Sequence, residues 1–109
     1  MRESTLKRFI ELARLTTLGS IVSQAIHFGE VRVDLLKSHL KANGYYSAFE
    51  DGDKRGVWAV ITKGKPKEFD DNTPNVLGKG FAENDDEALV MAVMGMMLEE
   101  YKVLYPKVK

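Results

Sequence analysis

The sequence predicts a single α+β domain in which helices cover one face of a three-stranded antiparallel sheet. Its hydrophobic patterns follow the order helix, helix, strand, strand, strand, helix. The segments between the strands are too short for the crossovers that parallel strands need, so a meander is expected. The 109 residues, 44% of them apolar and 29% charged, have the size and composition of one globular domain. We therefore expect residues 1–109 to fold as one α-α-β-β-β-α domain.

Helical spacing of apolar residues runs through residues 4–28, the N-terminal helical segment. Thr16, Thr17 and Gly19 weaken a helix, so one long helix and two short ones with a bend near Gly19 both fit. Gly29 is suited to end this segment.

Residues 34–104 form a separate α-β-β-β-α pattern. Asp34 is a favourable N-cap for a helix over residues 34–43, and an Asn-Gly pair follows the last of its turns. Three runs rich in aromatic and β-branched residues predict strands at residues 45–49, 56–63 and 75–83. Gly78 and Gly80 in the last run indicate a bulge or a close backbone contact.

The final helix, predicted over residues 85–104, has the strongest local signals. Asn84 can cap it, and Glu87 three residues later completes a capping-box pattern. Residues 88–98 leave no polar face, so we expect the sheet on one side and the N-terminal helix of the same chain on another. This stretch contains the methionines Met91, Met94, Met96 and Met97. Methionine is common at adaptable binding surfaces, so a homodimer or a partner protein is the alternative cover.

Composition excludes several classes of protein. The chain has no cysteine, which removes disulfides, thiol catalysis and thiolate metal sites. Sixteen basic and sixteen acidic residues give a net charge of zero, unlike most dedicated nucleic-acid binders. The apolar, uncharged run at residues 88–98 is too short to span a membrane. With no signal-peptide pattern at the start, we expect a soluble, cytoplasmic protein.

No catalytic or metal-binding motif stands out. His27 and His39 are not part of a recognisable triad pattern, and His39 is expected to be a partly buried structural residue. The acidic turn at residues 50–53 lacks the ligand spacing of a calcium loop, and residues 78–80 lack that of a phosphate loop. We therefore expect neither an enzyme nor a cofactor.

A basic loop beside the strand of Trp58 could contact nucleic acid. Its lysines, with one from the third strand, are Lys63, Lys65, Lys67 and Lys79. Acidic residues follow this loop at once and offset its charge. Nucleic-acid binding is therefore the alternative function.

Residues 34–98 resemble the double-stranded-RNA-binding domain in the order of their elements. The stretch of residues 78–88 looks like that family's Gly-x-Gly strand leading into its last helix. The family binds phosphates with lysines at the start of this helix, where this chain has Asp85, Asp86 and Glu87. The resemblance therefore implies the fold rather than the RNA-binding function, because acidic side chains repel phosphate.

The same region is also similar to small phage-encoded α/β sandwich proteins, through the strand of Trp58 and the Ala- and Met-rich helix of residues 88–98. That likeness implies a phage or mobile-element accessory protein that binds a host protein complex and inhibits or adapts it. A third resemblance, of residues 29–36 to the turn entering a helix in winged-helix DNA-binding domains, places Lys37, His39 and Lys41 on that helix.

The sequence thus favours a non-enzymatic binding protein with a protein partner. The candidate contact residues are the acidic Asp70, Asp71, Asp85 and Asp86. Their carboxylates could meet a basic partner or imitate phosphates. For any single one of them, helix capping or solvation is the simpler explanation.

Overall fold

The computed structural model describes residues 3–52, 56–64 and 76–106. Within these ranges the helices are α1 (Glu3–Leu15), α2 (Gly19–Val22), α3 (Val33–Ala42) and α4 (Asp85–Leu104). The strands are β1 (Ile26–His27), β2 (Glu30–Val31), β3 (Tyr45–Asp51), β4 (Val57–Lys63) and β5 (Val76–Ala82). The predicted α+β class is confirmed, because β3, β4 and β5 form an antiparallel sheet on which α4 packs.

The predicted N-terminal helix is interrupted near Gly19. The α1 helix ends at Leu15, and α2 continues into one 3₁₀ turn at Ser23–Ala25. A Cβ atom on Gly19 would overlap the carbonyl of Ala13, so only glycine lets α2 turn back this closely on α1. The prediction that the helix continues over residues 26–28 was wrong. This stretch is extended and then left-handed, and it begins a short hairpin of β1 and β2.

The α3 helix begins without the predicted cap. Arg32 precedes the helix in extended backbone, and Asp34 lies inside the first turn, where its carboxylate pairs with the Arg32 guanidinium at 3.4 Å. The predicted end of the helix is confirmed, because Gly44 takes φ +85° and its N–H donates to the carbonyl of Lys41 at 3.0 Å.

An aromatic pair between β4 and β5 lies beside Gly52 and Gly56. Trp58 faces Phe81 of β5 across the sheet, with ring centroids 5.1 Å apart. A Cβ atom on Gly56 would overlap the Phe81 ring, and the N–H of Gly52 donates to the Gly56 carbonyl at 2.8 Å. Glycine at position 56 therefore makes room for an aromatic ring over the turn.

The α4 helix lies close against β5 because Gly78 and Gly80 carry no side chains. A Cβ atom on Gly80 would lie 2.7 Å from the carbonyl oxygen of Ala88 and closer still to the backbone of Ala92. The predicted close backbone contact is therefore confirmed, and the strand pairing is also irregular, because the register shifts between Ile61 and Thr62 opposite this strand.

The core lies between the sheet, α4 and the N-terminal helices. Leu89, Val93 and Met97 of α4 are fully buried, as are Phe9 of α1 and Leu36 of α3. The α1 helix packs on α4 within the same chain, as the sequence predicts. None of the helices in the described ranges is long and apolar enough to cross a lipid bilayer.

Glu100 of α4 anchors the junction between α1 and α2. Its carboxylate accepts hydrogen bonds from the hydroxyl and the backbone N–H of Thr17 at 2.5 and 2.6 Å, and from the N–H of Leu18 at 3.0 Å. Partial burial raises the pKa of Glu100, but the three hydrogen bonds outweigh it and hold the pKa below its ordinary value.

Candidate protein-interaction site

A two-residue turn joins the short strands β1 and β2. The β1 and β2 strands pair Ile26 with Val31 and His27 with Glu30, which leaves Phe28 and Gly29 at the tip. Both tip residues have positive φ angles, 53° and 78°. Hairpins of this kind favour Asn-Gly, because two successive residues must adopt left-handed backbone.

Phe28 is unfavourable at this tip because of both its exposure and its backbone conformation. Its ring is fully exposed, at 105% of the reference area. A bulky side chain in left-handed backbone also costs roughly 1 kcal/mol relative to ordinary backbone. Within the described chain, neither burial nor backbone preference accounts for a phenylalanine here.

The base of this hairpin adjoins the acidic start of α4. A shallow cleft of about 260 Å³ is lined by Val31, Val33, Asn84, Asp86, Glu87 and Val90. Phe28 is three residues from Val31, so its backbone lies within about 10 Å of the cleft. The hairpin that carries Phe28 is thus a neighbour of the acidic helix terminus, and we call Phe28, Glu30, Asp85 and Asp86 together the Phe28 face.

Two of the four predicted acidic residues, Asp85 and Asp86, belong to this face. Asp85 and Asp86 are exposed in the first turn of α4, where Asn84 Oδ1 accepts a hydrogen bond from the Glu87 N–H at 2.9 Å and confirms the predicted cap. Carboxylates there also favour the positive end of the helix dipole, so helix stabilisation alone accounts for both. The other two candidates, Asp70 and Asp71, lie outside the described residues.

The two described lysines of the predicted basic cluster do not share a face. Lys63 lies on the same face of β4 as the buried Ile61, two residues before it, and its Nζ lies 4.2 Å from the Tyr45 ring centroid. Lys79 points to the opposite face of the sheet, with its Nζ 5.8 Å from the Trp58 ring centroid. Lys65 and Lys67 are outside the described ranges.

The histidines do not belong to a common site. His27 is exposed in β1, with Nε2 3.1 Å from the Gln24 carbonyl oxygen, whereas His39 is half-buried on α3, consistent with its predicted position. Among the described residues, no group of three or more His, Asp or Glu side chains is placed to hold a metal ion.

Phe28 was missed because the hairpin is only two residues long on each side. The available signal was Gly29 between Ile26-His27 and Glu30-Val31, two short apolar-polar pairs on either side of a turn residue. Gly29 fits a helix end equally well by its local sequence, and the helical pattern before it favoured that interpretation.

Comparisons of this chain with protein-family models, with curated proteins and with solved structures found no match.

Proposed function

We propose that this protein is a non-enzymatic binding protein that docks on a partner protein through its Phe28 face. The observation that carries the proposal is the fully exposed Phe28 ring held in left-handed backbone. Inhibiting or adapting a host complex, the role implied by the resemblance to phage-encoded proteins, would follow from such docking.

Phe28 has the properties of an interface anchor. A protruding aromatic ring gains most from filling a pocket on a partner, and such residues often contribute a large part of the binding free energy. The hairpin is short and its base is tied to the preceding turn, because the Arg32 N–H donates to the Ala25 carbonyl at 2.7 Å. A tip held in this way loses little conformational entropy on binding.

The charges around the ring define the kind of partner. Glu30, Asp85 and Asp86 are exposed near the hairpin, and Arg32, which follows β2, pairs with Asp34. We therefore infer a partner with an apolar pocket bordered by lysine or arginine, since complementary charge accelerates docking and selects the partner.

The alternative partners expected from the sequence, a second copy and nucleic acid, would bind elsewhere on the molecule. A homodimer through the methionine-rich helix would use Met91 and Met94, which do not line the cleft of the Phe28 face. Nucleic-acid binding would draw on Lys63 and Lys79, which lie on opposite faces of the sheet and so do not contribute to the same surface. The acidic Phe28 face would itself repel phosphate.

The test is retention of protein from a nuclease-treated bacterial lysate on the tagged full chain. Phe28→Ala should lower the affinity for the retained protein about thirtyfold, as expected for an anchor worth roughly 2 kcal/mol. Val103→Ala is the matched control, because Val103 is 78% exposed but lies near the far end of α4. Asp85→Asn with Asp86→Asn should weaken retention and reduce its dependence on salt.

Two outcomes would overturn the proposal. If Phe28→Ala retains the same protein as strongly as the unmodified chain, the Phe28 face is not the docking surface. If material is recovered only when nuclease is omitted, the partner is nucleic acid and the alternative function takes precedence.

A further inference from the structure

A second concave surface lies between α1 and α4. It is an open groove of about 640 Å³ whose floor includes Met91, Met94, Gly95 and Leu98 of α4. The first three turns of α1 form its wall, on which the charged residues Lys7, Arg8 and Glu11 lie. The groove shares no residue with the cleft of the Phe28 face.

The floor is an apolar stripe that neither the sheet nor α1 covers completely. Met91, Gly95 and Leu98 recur four and three residues apart, along one side of the helix. Met91 remains 38% exposed, and methionine adapts its shape to an opposing surface.

Gly95 leaves the backbone of α4 open to close approach at the centre of this stripe. The sheet does not require glycine there, because a Cβ atom would lie 3.6 Å from the Lys79 carbonyl oxygen, an ordinary contact. A mid-helix glycine costs about 1 kcal/mol relative to alanine. Packing within the described chain therefore does not explain why position 95 is glycine.

The wall of the groove carries charges of both signs, so Arg8 of one copy can pair with Glu11 of another. The α1 and α4 helices run in the same direction, because Glu100 near the end of α4 bonds to Thr17 just after α1. A two-fold axis perpendicular to these helices would bring a second copy onto the groove with its α1 antiparallel to the first. Arg8 and Glu11 are one turn apart, so each Arg8 then meets the Glu11 of the other copy.

Both of these side chains are available for such pairing. Arg8 and Glu11 are exposed, and neither forms an ion pair with the described part of the chain. The net charge of zero adds no overall repulsion between two copies.

We propose that the groove between α1 and α4 is the interface of a two-fold symmetric homodimer. The methionine stripes of the two copies meet at its centre, and two reciprocal Arg8–Glu11 pairs border it. A foreign amphipathic helix would also find an apolar floor here, but a wall that carries both signs of charge favours a second copy over a uniformly charged ligand.

The proposal is tested by sedimentation equilibrium on the full chain from low-micromolar to submillimolar concentration. We expect a dimer for the unmodified protein. Arg8→Glu and Glu11→Arg should each place like charges in contact and weaken the dimer about tenfold or more. An equimolar mixture of these two variants should form a heterodimer, because an acidic wall then meets a basic one.

The mixture experiment separates pairing from misfolding, since a variant that fails to fold cannot be rescued by its complement. Arg14→Glu is the matched control, because Arg14 is exposed on α1 but does not line the groove, and this variant should dimerise like the unmodified chain. Phe28→Ala should also leave the dimer intact, which keeps this test independent of the docking test.

Three results would overturn the proposal. The first is a monomer for the unmodified chain throughout the concentration range. The second is a dimer that Met91→Lys does not weaken, since the apolar floor would then be outside the interface. The third is the failure of the Arg8→Glu and Glu11→Arg variants to associate when mixed.

Discussion

Phe28 is unfavourable for the folded chain in two ways, because its ring is exposed and its backbone is left-handed. Its ring makes no use of the core, and its backbone adopts a conformation that asparagine or glycine adopts more readily. Strain at one exposed residue is easily removed by substitution, so stability and binding should respond in opposite directions to a change at this position.

Phe28→Asn should stabilise the fold while it removes binding. Asparagine accepts left-handed backbone and forms the preferred Asn-Gly turn with Gly29, so we expect a gain of about 0.5–1 kcal/mol in the free energy of unfolding. Chemical denaturation followed by the fluorescence of Trp58, the only tryptophan, measures this change.

Phe28→Ala is the control for that gain. It removes the ring but keeps a residue that resists left-handed backbone, so its stability should match the unmodified protein. A loss of stability on Phe28→Ala would show that the ring packs in the folded state, contrary to its exposure.

The β5 strand and the α4 helix illustrate how a glycine pattern acts at the scale of elements. Gly-x-Gly in β5 resembled a phosphate-binding signal only in composition, and the structure gives it a packing role. The sequence indicated this contact, because glycine in a strand marks a close approach of another backbone. What it could not indicate was which element approaches, since α4 follows only two residues later in the chain yet packs back over the strand.

Gly80→Ala and Gly95→Ala should change stability in opposite directions. The methyl group at position 80 would collide with Ala88 and Ala92, so we expect a loss of about 1–3 kcal/mol. At position 95 the methyl group meets only an ordinary contact, and the helix gains up to about 1 kcal/mol.

Thermal unfolding of the two variants, at a protein concentration where the chain is monomeric, checks both signs. Equal destabilisation by the two substitutions would mean that α4 does not approach β5 in the way described here.

At the scale of the whole molecule, one carboxylate joins parts of the chain that are far apart in sequence. Glu100 is 83 residues from Thr17, and its hydrogen bonds stop the break between α1 and α2 from leaving unpaired backbone N–H groups. This contact also holds α1 beside α4, so it supports one wall of the proposed dimer groove.

Glu100→Gln should lower the free energy of unfolding by about 1 kcal/mol at neutral pH, because the charged acceptor of three hydrogen bonds is lost. The expected fall in Tm is about 4 °C for a domain of this size. Glu99→Gln is the matched control, because Glu99 is exposed and only pairs with Lys102 at 3.5 Å, a contact worth at most a few tenths of a kcal/mol.

The contribution of Glu100 should also depend on pH in one direction. Its pKa is lowered in the folded protein, so its stabilising effect is complete above the ordinary value of 4.5 and is lost as the pH falls through the lower folded pKa. The stability difference between the unmodified chain and Glu100→Gln should therefore shrink on acidification below pH 4.5. A difference that grows in acid would contradict the hydrogen-bonding scheme.

Local signals in the sequence determined the α4 helix, its Asn84 cap, the three sheet strands and the exposure of Asp85 and Asp86. Capping, hydrophobic periodicity and β propensity act over a few residues, so they can be recognised without the fold. Only the tertiary structure decided the break at Gly19, the Phe28 hairpin, the separation of Lys63 from Lys79 and the open groove beside Met91. Each of these depends on atoms that packing brings together from distant parts of the chain, and short-range preferences carry no information about which elements will meet.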